Sequence, residues 1–89
     1  MNSRITTEFR KLFADLPEQV REQTRAGYRQ FKENPSHPSL RFKKVHRKLP
    51  IYSARINQNY RAVGQLDGDT AIWFWVGSHA EYDELLGHL

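Results

Sequence analysis

The spacing of apolar residues predicts two helices in the first part of the chain. One apolar stripe at helical spacing is formed by Phe9, Leu12, Phe13 and Leu16. Thr6 or Thr7 is a suitable N-cap, so the first helix is predicted to run to about Leu16. A second, weaker stripe is formed by Val20, Thr24, Tyr28 and Phe31. Because Pro17 suits a first helical position and "ENPSHP" stops a helix, the second helix is predicted from Pro17 to about Glu33.

After Pro38 the apolar period changes to two, which is typical of strands. Four segments show this pattern: "SLRFKKVH", "YSARI", "YRAVGQL" and "TAIWFWV". The sequences "NQN" and "DGD" separate the last three segments and indicate hairpin turns. In the fourth segment Trp73 and Trp75 alternate with other bulky apolar residues, so this strand is predicted to be central. We interpret both tryptophans chiefly as core residues, with RNA stacking as the weaker alternative.

The segment "SHAEYDELL" is predicted to form a short final helix, with Ser78 as N-cap and Glu81 as its capping-box partner. The fold class is therefore predicted to be α+β. Two N-terminal helices pack on one face of a four-stranded, antiparallel sheet, and the short C-terminal helix follows. A chain of 89 residues has room for a single domain, residues 1–89.

The composition excludes several classes of site. There is no cysteine, so a disulfide framework, a thiolate nucleophile and a cysteine zinc site are excluded, and any metal site would have to use only histidine and carboxylate ligands. The sequence contains no P-loop, no G-x-G-x-x-G motif and no helix-borne zinc motif, and no cofactor is expected. The N-terminus lacks the apolar stretch of a secretory signal, and the run "AIWFWVG" is too short to span a bilayer. We therefore expect a cytoplasmic protein without a membrane partner.

Charge is distributed unevenly along the chain. Residues 1–61 hold all fourteen Lys and Arg residues and five acidic residues, a net charge of +9, whereas residues 62–89 carry −5. The segment 41–61 contains no acidic residue and seven basic ones: Arg41, Lys43, Lys44, Arg47, Lys48, Arg55 and Arg61. Such a block is suited to binding a polyanion. A solvated surface without a ligand is an equally weighted alternative.

The spacing within one hairpin predicts a pair of arginines. If Asn57–Asn59 forms a three-residue turn, Arg55 lies directly opposite Arg61. Opposed like charges disfavour strand pairing by up to about 1 kcal/mol, so the arrangement favours an anion between the two guanidinium groups. Such groups bind phosphate in bidentate fashion. A two-residue turn would remove the pairing, and separate extension of each arginine into solvent is the other alternative.

A phosphoryl-transfer enzyme also needs a group that moves protons, and histidine is suited to that role. Of the four histidines, His37 lies in a loop and His88 lies near the C-terminal end, so both are weak candidates. His46 lies within the basic block, and His79 directly follows the fourth strand. A structural role is the alternative for each. Tyr82 shares a helical face with His79 and is predicted to pack on the sheet, or to stack on a base.

The order of these segments resembles the RelE/ParE superfamily of toxins from type II toxin–antitoxin systems. The similarity extends over essentially the whole chain, through "HPSLRFKKV", "YSARINQNYRAVGQLDGDTAIWFWVGSH" and the closing helix. Its most specific parts are the basic residue before the turn, the Tyr-Arg pair after it, and the strand exit Gly-x-His. The resemblance implies metal-independent cleavage of messenger RNA, usually in the ribosomal A site, by attack of a ribose 2′-hydroxyl on the adjacent phosphate.

The resemblance also implies roles for individual residues. Arg61 would stabilise the scissile phosphate, Arg55 would line the site, and His79 would act as general acid. Ser53 stands where a well-known member has lysine, so the general base is open, with His46 or a neighbouring lysine as candidates. Contacts with RNA or the ribosome are predicted for Lys43, Lys44, His46, Arg47, Lys48 and Tyr82.

The same resemblance leaves more than one function open. Some superfamily members inhibit DNA gyrase without cutting RNA, and a non-toxic RNA-binding protein is a third alternative. We predict the endoribonuclease because Arg55, Arg61 and His79 are all present. Both toxin functions imply a cognate antitoxin, whose acidic segment would fold onto the positively charged surface.

Overall fold

The computed structural model describes residues 1–89 and contains three helices and five strands. In chain order these are β1 (Asn2–Ile5), α1 (Thr7–Ala14), α2 (Glu18–Glu33), β2 (Lys43–Lys44), β3 (Ile51–Arg55), β4 (Tyr60–Asp67), β5 (Thr70–Ser78) and α3 (His79–His88). The strands form one sheet in the order β1-β5-β4-β3-β2. Strand β1 is parallel to β5, and all other neighbours are antiparallel. The predicted α+β class is confirmed.

Local sequence signals place the N-terminal helices correctly. The hydroxyl of Thr6 accepts a hydrogen bond from the backbone N–H of Phe9 at 3.1 Å, so Thr6 caps α1. Helix α1 ends at Ala14, two residues before the predicted Leu16, because the next N–H groups bond to carbonyls three residues back. Helix α2 begins at Glu18, with Pro17 as its N-cap and not as its predicted first residue, and it ends at Glu33, as predicted.

The prediction of a four-stranded, wholly antiparallel sheet is wrong in strand number and in the direction of one strand. Strand β1 pairs in parallel with β5, from Asn2 opposite Thr70 to Ile5 opposite Trp73. Its sequence contains one strongly apolar residue, Ile5, so it has no detectable period of two. Residues 2–5 become a strand because they pair with β5, which is distant in the chain.

The predicted strand "SLRFKKVH" is mostly irregular. Residues Pro38–Leu40 form a 3-10 turn, and only Lys43–Lys44 is a strand. Arg41 between them has a φ of 45°, a left-handed conformation that interrupts an extended chain. Phe42 is nevertheless half-buried and packs against the core, with its ring edge-on to Phe31 at a centroid distance of 4.9 Å.

Each face of the sheet carries its own apolar core. Helices α1 and α2 cover one face, here called the helix-pair face, whose buried core consists of Phe9, Phe31, Leu40, Ala54, Ala62, Ala71, Trp73 and Val76. Helix α3 covers the other face, here called the α3 face. Its buried core consists of Ile51, Val63 and Tyr82, with half-buried neighbours that include Val45, Phe74, Trp75, Leu85 and Leu86. Strand β5 is therefore packed on both faces, as predicted.

A bulge in β5 breaks the strict alternation predicted for this strand. Trp75 lies opposite Val63 and Trp73 lies opposite the next residue, Gly64, so Phe74 is an extra residue on β5. As a result Trp73 packs in the core of the helix-pair face and Trp75 packs on the α3 face. Because almost every residue of this segment is apolar, its sequence has no alternation of apolar and polar residues that could reveal the bulge.

We expect Gly64→Ala to destabilise the fold by about 1–3 kcal/mol, because overpacking shifts the backbone or a buried ring. An added Cβ would lie 2.8 Å from a ring carbon of Trp73 and 3.0 Å from the carbonyl oxygen of Ile72. Urea denaturation measures the free energy of unfolding. The control is Gly87→Ala in α3, where no atom lies within 4 Å of the new Cβ. Equal stabilities of Gly64→Ala and wild type would contradict the tight packing at the bulge.

Candidate functional site

The hairpin between β3 and β4 has the predicted three-residue turn. The Asn57 side-chain oxygen accepts hydrogen bonds from the backbone N–H groups of Asn59 at 2.7 Å and Tyr60 at 2.9 Å. Its amide nitrogen donates to the side-chain oxygen of Gln23 on α2 at 2.7 Å. The backbone N–H of Ile56 donates to the carbonyl of Tyr60 at 3.1 Å and closes the turn. The register of the hairpin is therefore fixed by side-chain bonds as well as by the strand ladder.

This register places Arg55 directly opposite Arg61, as predicted. Because side chains alternate along a strand, both arginines project from the same face as Val63, which is the α3 face. Both side chains are half-buried. Neither takes part in an ion pair of the structure. The two positive charges therefore share one face without a carboxylate partner.

Backbone carbonyls explain how the arginine pair is tolerated. Nη1 of Arg61 donates to the carbonyl oxygens of Asn57 at 2.6 Å and Tyr60 at 2.9 Å, and lies 3.4 Å from that of Gln58. The dipoles of these carbonyls offset part of the positive charge of Arg61. The register of the hairpin therefore does not require an anion between the two guanidinium groups, which the sequence analysis had favoured. A guanidinium has five N–H donors, and donors other than those on Nη1 remain for a ligand.

Arg55 lies at an open edge of the sheet. Strand β2 pairs only with Ser53 and Tyr52, so the end of β3 has no neighbour on that side. Arg55 also lines a cavity of about 270 Å³ whose other residues include Gln23 and Ser39. This cavity lies towards α2, on the helix-pair side, and Arg61 does not line it. Arg55 is therefore the member of the pair that lies at the edge left uncovered by β2.

Two rows of paired residues cross the α3 face beside each other. The first row consists of Gly77, Arg61 and Arg55, and the second consists of Trp75, Val63, Ser53 and Lys43. Lys43 therefore projects from the same face as the arginine pair. The next residue, Lys44, projects from the helix-pair face, and its Nζ donates to the carbonyl of Arg47 at 3.2 Å. Lys43 and Lys44, which the sequence analysis placed in one basic block, therefore lie on opposite faces of the sheet.

His79 lies at the same end of the sheet as the arginine pair. It follows Gly77, the partner of Arg61, by two residues, and its backbone N–H donates to the carbonyl of Asn59 at 2.7 Å. Its side chain is 50% exposed, and Nε2 lies 3.5 Å from Oδ2 of Asp83. Sequence reasoning did not select Asp83, although its i, i+4 spacing from His79 indicates the contact.

The predicted capping box at the start of α3 is present. Oγ of Ser78 accepts the backbone N–H of Glu81 at 3.3 Å, and Oε1 of Glu81 accepts the Ser78 backbone N–H at 3.0 Å and its hydroxyl at 2.8 Å. The bond from the Ser78 backbone, followed by the bond from its side chain, lowers the pKa of the Glu81 carboxyl. The cap holds the first turn of α3, which carries His79.

His46 makes structural bonds with both ring nitrogens. Nδ1 accepts from the backbone N–H groups of Lys48 at 3.1 Å and Leu49 at 2.9 Å. A neutral ring that accepts at Nδ1 carries its proton on Nε2, which donates to the carbonyl of Leu89 at 3.1 Å. His46 therefore ties the β2–β3 loop to the end of α3, and it has no free ring nitrogen for the proton-acceptor role that the sequence left open.

The remaining candidates do not gather at the arginine pair. Tyr82 is 7% exposed and packs in the core of the α3 face, which supports the packing interpretation. Arg47 and Lys48 are exposed in the loop that leads into the start of β3, whereas Arg55 ends that strand. The length of β3 separates them by about 13 Å along the strand. Arg55, Arg61 and Lys43 share the α3 face, and His79 lies at the same end of the sheet as the arginines, so these four residues are the candidate site. The loop is a separate basic surface.

No three histidine or carboxylate side chains gather closely enough to hold a metal ion. No helix combines the length and the apolar character needed to cross a membrane.

The fold is that of known bacterial and archaeal toxins. RelE in the RelB-RelE antitoxin-toxin complex of Methanococcus jannaschii is 21% identical, with a TM-score of 0.75 over 91% of this chain and 95% of that chain. YafQ of E. coli is 9% identical, with a TM-score of 0.73 over 91% and 96%. The YoeB/ParE toxin of Agrobacterium tumefaciens is 15% identical, with a TM-score of 0.70 over 89% and 99%. At these identities the likeness shows the fold alone.

The sequence itself identifies the family. The family profile described as "ParE-like toxin domain" matches residues 18–84, well over half of the chain. The chain therefore belongs to the ParE-like toxin domain family, and its predicted membership of the RelE/ParE superfamily is confirmed. No curated protein sequence gives a significant match.

We expect the capping box to stabilise the fold in a pH-dependent way. The pKa of Glu81 is lowered in the folded state, so the carboxylate stabilises the protein above the ordinary glutamate value of about 4.3 and this contribution is lost as the pH falls through the lowered pKa. Urea denaturation at pH 7 and pH 3 should show a smaller difference for Glu81→Gln than for wild type.

The control for this prediction is Glu84→Gln, a change of an exposed glutamate in the same helix, which should keep the wild-type difference. Ser78→Ala removes the other half of the cap and should lower the free energy of unfolding at pH 7 by about 1 kcal/mol. Identical pH dependences of Glu81→Gln and wild type would contradict the role of this carboxylate.

Proposed function

We propose that this protein is the toxin of a type II toxin–antitoxin system and acts as a metal-independent endoribonuclease on ribosome-bound messenger RNA. Membership of the ParE-like toxin domain family supports the toxin class. The observation that carries the enzymatic proposal is the pairing of Arg55 with Arg61 on one sheet face, with His79 at the same end of the sheet. Two permanent cations can stabilise the charge that grows on the phosphate during RNA cleavage by internal transfer, and a histidine can protonate the leaving oxygen.

In the proposed reaction a ribose 2′-hydroxyl gives up its proton to solvent water, and its oxygen attacks the adjacent phosphorus atom. The bond between phosphorus and the 5′-oxygen of the next nucleotide breaks, which gives a 2′,3′-cyclic phosphate and a 5′-hydroxyl. Negative charge grows on the phosphate oxygens in the transition state. Arg55 and the free donors of Arg61 stabilise that charge, because guanidinium groups stay protonated and bind such oxygens in bidentate fashion.

His79 is proposed to be the general acid. Protonation of the departing 5′-oxygen makes it a better leaving group, and imidazole is suited to proton transfer near neutral pH. The ring is half exposed at the N-terminal end of α3, so RNA has access to it. Asp83, with its carboxylate 3.5 Å from Nε2, orients the ring.

Lys43 is proposed to hold a neighbouring phosphate. It projects from the α3 face in the row next to the arginines and is exposed. Arg47, Lys48 and Lys44 are proposed to contact RNA or the ribosome outside the active site, because each neutralised phosphate releases condensed counterions.

The proposed partner is an antitoxin with an acidic segment. RelE of Methanococcus jannaschii and RelE of the Mycobacterium tuberculosis RelBE2 complex are described in toxin–antitoxin complexes. In this chain residues 1–61 carry a net charge of +9, which favours an acidic binding partner.

Inhibition of DNA gyrase is the second candidate function. Its support is that the matching family is described as ParE-like and that one structural neighbour is described as a YoeB/ParE toxin. This function would act through protein contact and would not depend on the arginine pair or on His79.

We expect His79→Ala to reduce messenger RNA cleavage by about 100-fold or more, the usual effect of losing a general acid. Arg55→Gln should reduce it by about 100- to 1000-fold through lost stabilisation of charge. Cell-free translation with the purified protein, followed by primer extension on the message, measures cleavage. The matched control is Arg29→Gln, the same charge change at an exposed position on α2, and it should cleave like wild type.

The same preparations should be tested for gyrase supercoiling. Uncut messages together with lost supercoiling would reject the endoribonuclease and select the second function. Cleavage by wild type that survives in both site variants would reject the roles proposed for His79 and Arg55.

We expect Lys43→Gln to weaken binding of single-stranded RNA and to reduce the salt dependence. Loss of one phosphate contact should lower the slope of log affinity against log salt by about 0.7. Lys32→Gln is the matched control, because it makes the same charge change at an exposed lysine of α2 to which no contact with RNA is assigned. Titrations at several salt concentrations compare the two. Equal effects would contradict the assignment of Lys43 to the active face.

A further inference from the structure

We propose that Trp75 is a stacking surface for an unpaired nucleobase beside the arginine pair. The inference rests on the proposed RNA substrate and extends it, because it adds a contact to a base where the other residues contact phosphate. It assigns different roles to the two tryptophans of the chain.

The bulge at Phe74 brings the Trp75 indole beside Arg61. It turns Trp75 onto the α3 face, where ring carbons Cζ2 and Cη2 lie 2.8 and 2.9 Å from the point that a Cβ on Gly77 would occupy. Gly77 is the strand partner of Arg61. The ring thus covers the position next to Arg61 in the row of Gly77, Arg61 and Arg55, and only a glycine leaves it that space.

The two tryptophans differ in exposure. Trp73 is 4% exposed, and its Nε1 donates to Oγ of Ser3 at 2.9 Å. Its ring is therefore buried, and its indole N–H already has a hydrogen-bond partner inside the protein. Trp75 is partly exposed on the face that carries the cations. Tyr82 supports its ring from α3, at a centroid distance of 6.4 Å and an angle of 40°. A supported but partly exposed aromatic ring is suited to contact with a ligand.

A nucleobase fits this position by its chemistry. A phosphate held by Arg61 places its own nucleotide beside the strand that carries Trp75, and every base has a π face that stacks on an aromatic ring. Bases in a duplex are already stacked, so this contact selects unpaired RNA. Because stacking is tolerant of base identity, it positions the RNA without selecting a particular sequence.

Tryptophan fluorescence tests the contact directly. Two short oligonucleotides with 2′-O-methyl sugars, which block cleavage, are compared: one carries bases, and the other is abasic with the same number of phosphates. The base-carrying oligonucleotide should quench wild-type fluorescence on binding, and the abasic one should bind without quenching. In Trp75→Phe the enclosed Trp73 is the remaining fluorophore, and quenching should disappear.

Affinity provides a second measurement. Trp75→Leu should bind the base-carrying oligonucleotide about 5- to 150-fold more weakly, the range for one stacked base, and the abasic one with wild-type affinity. The matched control is Tyr52→Leu, a change of a half-buried aromatic residue on the helix-pair face, which should leave both affinities unchanged. Circular dichroism verifies that each variant is folded.

The outcomes separate this inference from the proposed function. Binding of both oligonucleotides by wild type without quenching, or equal affinities of Trp75→Leu and wild type, would overturn the stacking role and leave the RNA substrate intact. Binding of neither oligonucleotide by wild type would overturn the RNA substrate itself and the stacking role with it.

Discussion

The hydrogen bonds of the Asn57 side chain determine where the charges of this protein lie. They hold a three-residue turn and attach it to Gln23 of α2, which sets the register of β3 and β4. A shift of one residue in a strand pairing moves every side chain to the opposite face. Arg61 would then point into the core of the helix-pair face and Val63 would leave the core it fills. One amide side chain therefore keeps apolar and charged residues on their proper faces.

The two faces of the sheet differ in composition: one consists mainly of apolar core, and the other also carries the candidate site. The helix-pair face is mostly core, with eight buried apolar residues. The α3 face has a smaller core at its centre and its cations at the end next to the turn. Helix α3 is held at both ends, at its start by the bond from His79 N–H to the Asn59 carbonyl and at its end by the bond between His46 and Leu89. The helix that carries the proposed acid is thus fixed to the hairpin that carries the arginines.

The parts of the fold that depend on neighbouring residues were predictable, and those that depend on distant ones were not. The stripe of α2, the turn "NQN" and the capping box of Ser78 are local signals, and each gave the correct structure. The opposed arginines followed from counting residues across that turn. Strand β1 escaped prediction because its partner is far away in the chain, and the role of His46 depends on a residue 43 positions later. The left-handed Arg41 and the bulge before Trp75 also left no pattern in the sequence.

The parallel pairing of the first strand with the last has a consequence for the order of folding. Asn2 pairs with Thr70, so 68 positions of chain must be closed into a loop before β1 can form. Contacts of such long range form late and slow the search for the native state. Helix α1 also packs mainly on β5 and must wait for the same strand. Strand β1 and helix α1 precede β5 in the chain and therefore reach their final positions only after β5 has been synthesised.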